Sequence, residues 1–425
     1  MNELPLKNKN NSPWLWIPTL FATEAIVSAT VIYVVLLMFI QLGASYSKAT
    51  IFIAVLLLPS IGKLYIKWNV KWNAYLKSIL IAIHALLFLA FVISAFLINS
   101  RNTSVITIFI ATFIIASINA VNEKVLAVYY NYVTDKKVQS FMGNYKFVAT
   151  QIAFIVTYGV LIIFVGLHEI FFRNFYLAWS MEYYFVAGVL LILLIFNAIL
   201  LLKTDNLNNG NTSAVSTRVV HKLNRKRIVA FLLFTAVLLL PQSLLFCTRV
   251  FFLMTPESKG GLGCTLQDVG FAQGTIGVIA FMVGTFIGQH LIRRYGNKKM
   301  FWSMVLPLLF SPVFYLMNKS VITSPSFLDI CLMTLGAQLC FGFGLNICVL
   351  FIKRTTDVFD DNILSLVHVP LVVITMALPI ALSGTLLEFL GFRNYFILDV
   401  LLSCVSLIVI LFNRKFINRH ILNVK

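Results

Sequence analysis

Charged residues are scarce in this sequence, and their scarcity excludes an ordinary soluble protein. Only 11% of the 425 residues are Asp, Glu, Lys or Arg, whereas 60% are hydrophobic. A soluble domain of this length could not bury so large an apolar fraction. The composition therefore predicts an integral membrane protein.

Acidic residues are scarcer than basic ones, with 15 Asp and Glu against 33 Lys and Arg. In a soluble protein the net charge of +18 would suggest nucleic-acid binding. Here most of the basic residues fall in the loops on one side of the hydrophobic runs, as they do in the cytoplasmic loops of membrane proteins. The charge therefore predicts that both termini are cytoplasmic, and we expect no nucleic-acid partner.

The sequence also lacks the common motifs of catalytic and metal sites. It contains no GxSxG, HExxH or Walker sequence, and its six cysteines form no CxxC pair. An intramembrane enzyme would have to rely on His84 or His368. Cys247 and Cys264 could meet near the outer side, but small packing residues are the favoured interpretation. We expect no enzymatic activity, no metal and no cofactor.

Long hydrophobic runs, by contrast, recur along the whole chain. A bilayer core about 30 Å thick is crossed by a helix of roughly 20 apolar residues. Continuous runs such as SILIAIHALLFLAFVISAFLI favour helices over barrel strands, whose signal is alternation over about 10 residues. The first run is too long for a signal peptide, so we expect it to be retained. We predict twelve transmembrane helices, at 14–40, 49–66, 74–98, 105–132, 143–167, 183–202, 228–254, 268–292, 300–317, 327–352, 363–389 and 395–413.

One polar stretch, 203–227, divides these predicted helices into two sets of six. It separates an N-terminal half, 14–202, from a C-terminal half, 228–413, and cytoplasmic tails at 1–13 and 414–425 flank the two halves. Such a linker can lie against anionic lipid head groups. The predicted fold class is an all-α polytopic membrane protein with two six-helix halves, an arrangement typical of transporters whose halves rock about a central site.

A single carboxylate, Glu24, interrupts the first hydrophobic run. It lies about 15 Å along the helix from Trp14, close to the centre of the bilayer. A charge at that depth is costly, so the side chain must pair, hold a proton or contact a polar ligand. We favour proton coupling or substrate binding over a purely structural hydrogen bond. By the same count Glu123 falls near the cytoplasmic boundary and is not selected.

Other polar side chains fall near the predicted midplane. An interhelical hydrogen bond is as good an interpretation as ligand contact for the amides among them. Pro241 interrupts the backbone hydrogen bonds of the seventh predicted helix, and broken helices often line cavities. The remaining candidates for substrate binding or proton coupling are Asn119, Asn122, Gln151, Tyr158, Gln242 and Gln338.

Two charged residues lie toward the outer ends of predicted helices. Arg249 is in the seventh and Glu388 in the eleventh. They could form an outer gate, although solvated helix ends explain them equally well.

A loop rich in glycine and basic residues joins the eighth and ninth predicted helices. It contains Gly288, Arg293, Arg294, Gly296 and Lys298. This pattern resembles the loop signature of the major facilitator superfamily, with Arg293 in place of the usual acid. The resemblance implies that the loop ties neighbouring helices together on the cytoplasmic side. The corresponding stretch GKLYIKWNVKWN, 62–73, also lacks the acid.

Four further stretches resemble the AmpG-like muropeptide permeases of this superfamily, particularly those of Bacteroidetes. The family commonly carries aspartates in helix 4, where this chain has Asn122 and Leu126. The resemblance implies a proton-coupled secondary transporter of the bacterial cytoplasmic membrane that moves a glycan fragment, muropeptide or related metabolite. The stretches are WLWIPTLFATEAI (14–26) with LLLPSIGK (56–63), ESKGGLGCTLQDVGFAQGTIGVIAFMVGTFIG (257–288), SGTLLEFLGFRNYF (383–396) and, more weakly, YYNYVTDKK (129–137).

The expected partners are a sugar-containing small molecule and membrane lipids, and we expect a monomer. Two other functions stay open. The missing acids are compatible with a degenerate transporter that acts as a receptor or scaffold, and the two histidines leave an intramembrane lipid-modifying enzyme as a weaker alternative.

Overall fold

The computed structural model describes residues 13–63, 66, 68–100, 104–202, 204, 225–321, 326–356 and 361–414, and its long elements in these ranges are all helices. The predicted linker 203–227 and both predicted tails fall largely outside the described residues, as does the side chain of His368. The N-terminal half comprises α1 (Pro13–Gln41), α2 (Tyr46–Gly62), α3 (Leu76–Asn99), α4 (Val105–Val133), α5 (Lys136–Phe154, Ile155–Val160 and Leu161–Phe172) and α6 (Phe175–Leu200).

The long elements of the C-terminal half are also all helices in its described ranges. A bend at Ser311 divides its third helix. The last helix contains a non-helical residue, Gly391, with φ 70° and ψ 166°. Its elements are α7 (Arg225–Met254), α8 (Leu266–Tyr295), α9 (Asn297–Phe310 and Pro312–Val321), α10 (Phe327–Thr356) and α11 (Asp361–Phe412).

The prediction of an all-α membrane protein is confirmed. Ten helices within the described ranges are long and apolar enough to cross a membrane, and the helix Tyr46–Gly62 is apolar but shorter. The two arms of α11, on either side of Gly391, correspond to the eleventh and twelfth predicted spans. The count of twelve membrane-crossing helices stays a prediction.

Polar side chains fix where several of these helices begin. The Ser45 hydroxyl accepts from the Lys48 backbone N–H at the start of α2, and Asn174 caps α6. Thr265 and Asp268 form a reciprocal capping box at the start of α8. These caps satisfy N–H groups that have no partner within a helix. All three helices begin at the same end of the bundle, the predicted outer end.

The helices pack mainly within each half, and two close pairs, α2 with α11 and α5 with α8, join the two halves. α3 packs along α6, α8 along α10 and α7 along α11. Across the halves α2 packs against α11, where a Cβ built on Gly384 would lie 2.3 Å from the Tyr46 carbonyl oxygen. Only glycine permits the two backbones to approach so closely. All six cysteines are free thiols.

Candidate substrate cavity between the two halves

A cavity of about 450 Å³ lies between the two halves. Ligand sites for small molecules typically measure roughly 300–1,000 Å³. Helices of the N-terminal half contribute one wall, and α7, α8, α10 and α11 contribute the other. Most of its lining is apolar, with Phe154, Phe246, Phe281 and Phe341 prominent. The polar or charged lining residues are Tyr33, Thr150, Gln151, Tyr158, Gln242, Arg249, Gln273 and Gln338.

Three π-helical turns lie in helices that line this cavity. They occupy Thr30–Val34 in α1, Ile155–Val160 in α5 and Gly270–Gly277 in α8. Each turn contributes a lining side chain, namely Tyr33, Tyr158 and Gln273. Such turns are rare and occur frequently at functional sites. The sequence has no local pattern that predicts them, which explains why Tyr33 and Gln273 are absent from the predicted set.

The four lining glutamines fall into two groups. The Gln242 amide donates to the Leu308 carbonyl oxygen, 2.8 Å away, and to the Ser311 hydroxyl, so it is committed to the bend of α9. Gln273 donates to the Tyr315 hydroxyl, at 3.3 Å, and to Thr334. In contrast, no described residue forms a hydrogen bond with the side-chain amides of Gln151 or Gln338. These two amides are available to a ligand.

Arg249 lines the cavity and forms no ion pair with Glu388 among the described residues, so the outer gate of these two residues stays a prediction. Its guanidinium carbon lies 5.4 Å from the Phe246 ring centroid and 6.0 Å from that of Tyr33. Side chains of a helix tilt toward its N-terminus, so the long side chain of Arg249 reaches back along α7 toward the middle of the bundle. Counting backbone positions alone misses this displacement.

Glu388 instead belongs to a set of contacts between the two halves at the predicted outer end. Its carboxylate accepts hydrogen bonds from the backbone N–H and the hydroxyl of Ser47, at 2.9 and 3.2 Å. Close by, the Tyr46 and Thr255 hydroxyls are 2.7 Å apart. Each contact joins the N-terminal half to the C-terminal half. We call these four residues the outer latch.

Glycines bring α5 and α8 into backbone contact in their π-helical turns. A Cβ on Gly274 would lie 2.1 Å from the Tyr158 carbonyl oxygen, and one on Gly159 would lie 2.7 Å from the Thr275 hydroxyl. No larger side chain fits between the two helices here. The cavity residues Tyr158 and Gln273 therefore adjoin a direct contact between the two halves.

Glu24, Asn119 and Asn122 are not among the lining residues of the cavity. Glu24 lies about 13 Å along α1 from Tyr33, toward the predicted cytoplasmic end. Asn119 donates to the Ser28 hydroxyl at 3.1 Å, whereas Asn122 is fully buried beside His84 of α3. The two asparagines therefore face different helices.

Glu24 belongs to a cluster of charged residues in the N-terminal half. The Lys63 ammonium donates to a Glu123 carboxylate oxygen at 2.5 Å, and both side chains are mostly buried. Glu24 interacts electrostatically with Glu123, Lys63 and Lys146. The Lys146 ammonium lies 3.8 Å from the Phe21 ring centroid, a cation–π contact. We call Glu24, Lys63, Asn119, Glu123 and Lys146 the polar cluster.

Depth along α4 alone predicts that Glu123 lies near the membrane boundary and gives it no role. The polar cluster shows that its side chain is mostly buried and paired. Its partner Lys63 comes from the end of α2, and Asn119 lies 3.4 Å from its other oxygen. Depth within one helix cannot show that a second helix supplies a buried counter-ion. The signal that could have revealed the pair is the match of one lysine and one acid at similar predicted depths.

The residues of the predicted cytoplasmic loop lie around the end of α8. Arg293 and Arg294 are in its last turn, and Gly296 has φ +81°, a conformation that favours glycine, between α8 and α9. Lys298 is in the first turn of α9. Gly288 lies earlier in α8 and faces α10, where a Cβ on it would be 2.3 Å from the Asn346 side-chain amide. The structural role proposed for this loop stays a prediction.

Comparison with known proteins identifies the fold. No protein-family model and no curated protein matches the sequence. Among solved structures, a bacterial homologue of the human lysosomal transporter Spinster is similar with a TM-score of 0.66 and 13% identity, over 96% of this chain and 98% of the other. The Escherichia coli xylose transporter XylE gives 0.63 and 14%, over 96% and 98%.

The nucleoside transporter NupG is also similar, with a TM-score of 0.61, 17% identity and coverage of 94% of this chain and 98% of the other. At such low identity the likeness concerns the fold and not the substrate. These neighbours are transporters of the major facilitator superfamily. The chain has the fold of the major facilitator transporters.

Proposed function

We propose that this chain is a secondary transporter that moves a small polar molecule through the cavity by alternating access. The observation that carries the proposal is the cavity itself, which both halves line, and the outer latch supports it by joining the two halves at the predicted outer end. An alternating-access transporter requires a binding site between two halves that can separate at either end. The free amides of Gln151 and Gln338 are suited to hydroxyl or amide groups of a substrate.

The substrate class that we propose is a glycan fragment, muropeptide or related metabolite, as in the AmpG-like permeases. Aromatic side chains in the lining offer flat faces for sugar rings, and the glutamines offer hydrogen bonds. We further propose that the protein resides in a bacterial cytoplasmic membrane with both termini cytoplasmic. The excess of Lys and Arg in the predicted inner loops supports this orientation.

Proton coupling is assigned to Glu24 and the polar cluster. Glu24 lies near two lysines and a second carboxylate, so a change in its protonation alters the balance of charge in a buried network. Its distance from Tyr33 along α1 separates this group from the cavity. Proton binding and substrate binding would then be coupled through movement of α1 and not through direct contact.

Uptake into proteoliposomes tests the transport and the coupling together. We expect wild-type protein to accumulate labelled muropeptides or oligosaccharides under an imposed pH gradient. Glu24→Gln should lose most of this accumulation but keep exchange of internal for external substrate, because the amide retains the shape of the acid and cannot release a proton. The measurement is uptake and exchange at several pH values.

Glu257→Gln is the matched control, since Glu257 is an exposed acid in the α7–α8 connection. It should accumulate substrate as the wild type does. Unchanged accumulation by Glu24→Gln would refute the coupling role of Glu24. If wild-type protein takes up none of the labelled muropeptides or oligosaccharides, the proposed substrate class is contradicted. A cellular response to such compounds without uptake would favour a receptor.

A further inference from the structure

The cavity has an unbalanced charge. Among the described residues that line it, Arg249 is the one that is charged at neutral pH. Arginine keeps its proton under all ordinary conditions, so its positive charge cannot be removed by burial. The charge therefore has to be balanced by something that the cavity contains.

No described residue supplies that balance. Arg249 is 7% exposed, and its Nε atom has no hydrogen-bond partner among the described residues. Within the described ranges the one ion pair is that of Lys63 and Glu123. Three tyrosine hydroxyls on neighbouring helices lie within electrostatic range of Arg249, namely those of Tyr33 on α1, Tyr158 on α5 and Tyr315 on α9.

These hydroxyls and the Phe246 ring orient the guanidinium without neutralising it. The contact with Phe246 is a cation–π interaction, which holds the planar group beside an aromatic face. A buried cation without a paired anion is unfavourable, because the protein replaces little of the lost hydration. The site is thus complete only when a negatively charged group lies against Arg249.

We propose that the substrate carries a carboxylate and that Arg249 binds this carboxylate in the cavity. The inference rests on the proposed transport function and adds the charge of the substrate to it. A guanidinium presents parallel N–H donors that match the two oxygens of a carboxylate. Gln151 and Gln338 then bind uncharged polar groups of the same molecule.

A carboxylate fits the cavity better than a phosphate does. One guanidinium neutralises one negative charge, whereas a phosphate monoester carries close to two at neutral pH. The excess charge of a phosphate would be left in an aromatic and amide lining whose described residues offer no second cation. The proposal therefore predicts discrimination against the phosphate.

Binding of matched sugars to the full-length protein in lipid nanodiscs tests this inference. The probes are N-acetylmuramic acid, its methyl ester, N-acetylglucosamine and N-acetylglucosamine 6-phosphate, measured by isothermal titration. Because hydrogen bonds to charged groups are stronger than neutral ones, we expect wild-type protein to bind the acid about 10-fold or more tightly than the ester. The phosphate should bind more weakly than the acid.

Variants at Arg249 should remove this preference selectively. Arg249→Met should bind the acid and the ester equally, with affinity for the ester changed less than about twofold, and Arg249→Lys should retain part of the preference. Arg393→Met, which removes an exposed cation near the predicted outer end, should behave as the wild type. Thermal unfolding of each variant establishes that it is folded. If Arg249→Met does not fold, Arg249→Lys still tests the role of the guanidinium.

Several results would overturn the inference. One is equal affinity of wild-type protein for the acid and the ester, and another is a preference for the acid that survives in Arg249→Met. Tightest binding of the phosphate would show that the anion is of another class. Binding of neutral sugars without any gain from the carboxylate would leave the proposed transport function intact, whereas failure to bind all four probes would contradict both the sugar substrate and this inference.

Discussion

A Gly274→Val variant is expected to fold but to lose most of its transport activity. A Cβ at this position would lie 2.1 Å from the Tyr158 carbonyl oxygen and 2.5 Å from the Gly159 Cα atom, so α5 and α8 would have to separate. Overpacking of a tight contact costs about 1–3 kcal/mol or more. This cost falls on the state in which the outer end is closed, and it should shift the protein toward a state in which that end is open.

The distance between labels on the two halves measures this shift. Lys48 of α2 and Lys259 of the α7–α8 connection are both exposed near the predicted outer end, so cysteines can replace them in a background without native cysteines. We expect a longer distance in Gly274→Val than in wild-type protein. Gly188→Val is the matched control, because a Cβ on Gly188 contacts nothing within 4 Å. An unchanged distance together with full transport in Gly274→Val would contradict the role of this contact.

The second large effect is expected at the buried ion pair. Lys63→Met leaves the Glu123 carboxylate mostly buried without its cation. Breaking a buried pair by removing one partner typically destabilises a protein by about 3–5 kcal/mol. Replacing both partners, as in Lys63→Met with Glu123→Leu, should restore much of the lost stability, since no uncompensated charge then remains.

A double-mutant cycle measured by unfolding in detergent provides the check. Lys71→Met serves as the control for loss of a lysine, because Lys71 is exposed. If the two single variants and the double variant show additive losses, Lys63 and Glu123 do not act as a pair. Retention of transport in a stable double variant would further separate a structural role of the pair from a coupling role.

Much of the fold is predictable because the length of each hydrophobic run can be read from the local sequence. The fourth predicted helix, 105–132, differs by one residue from α4, Val105–Val133. The depth of a residue in a helix follows from its position, which predicts that Tyr158, Gln242 and Gln338 lie near the midplane and that Gln151 shares a face with Tyr158, and all four line the cavity. Helix bounds and residue depths can therefore be predicted without any knowledge of the neighbouring helices.

The remainder of the site depends on contacts between helices, which a single sequence does not encode locally. Tyr33 and Gln273 reach the cavity through π-helical turns, and Arg249 reaches it because its side chain points back along α7. Glu123 gains its importance from Lys63 on another helix. The neighbours of Glu24 are the polar cluster and not the cavity lining, so its coupling role stays a prediction.

Occupation of the cavity by the substrate is the central claim, and blocking the cavity with a thiol reagent tests it most directly. The lining residue Gln338 is replaced by cysteine in a background without the six native cysteines, and a methanethiosulfonate reagent is added to proteoliposomes that take up a labelled muropeptide or oligosaccharide. We predict that the modified Gln338→Cys protein stops transport and that saturating substrate slows the modification. Complete modification with unchanged uptake would contradict the claim that substrate passes through this cavity.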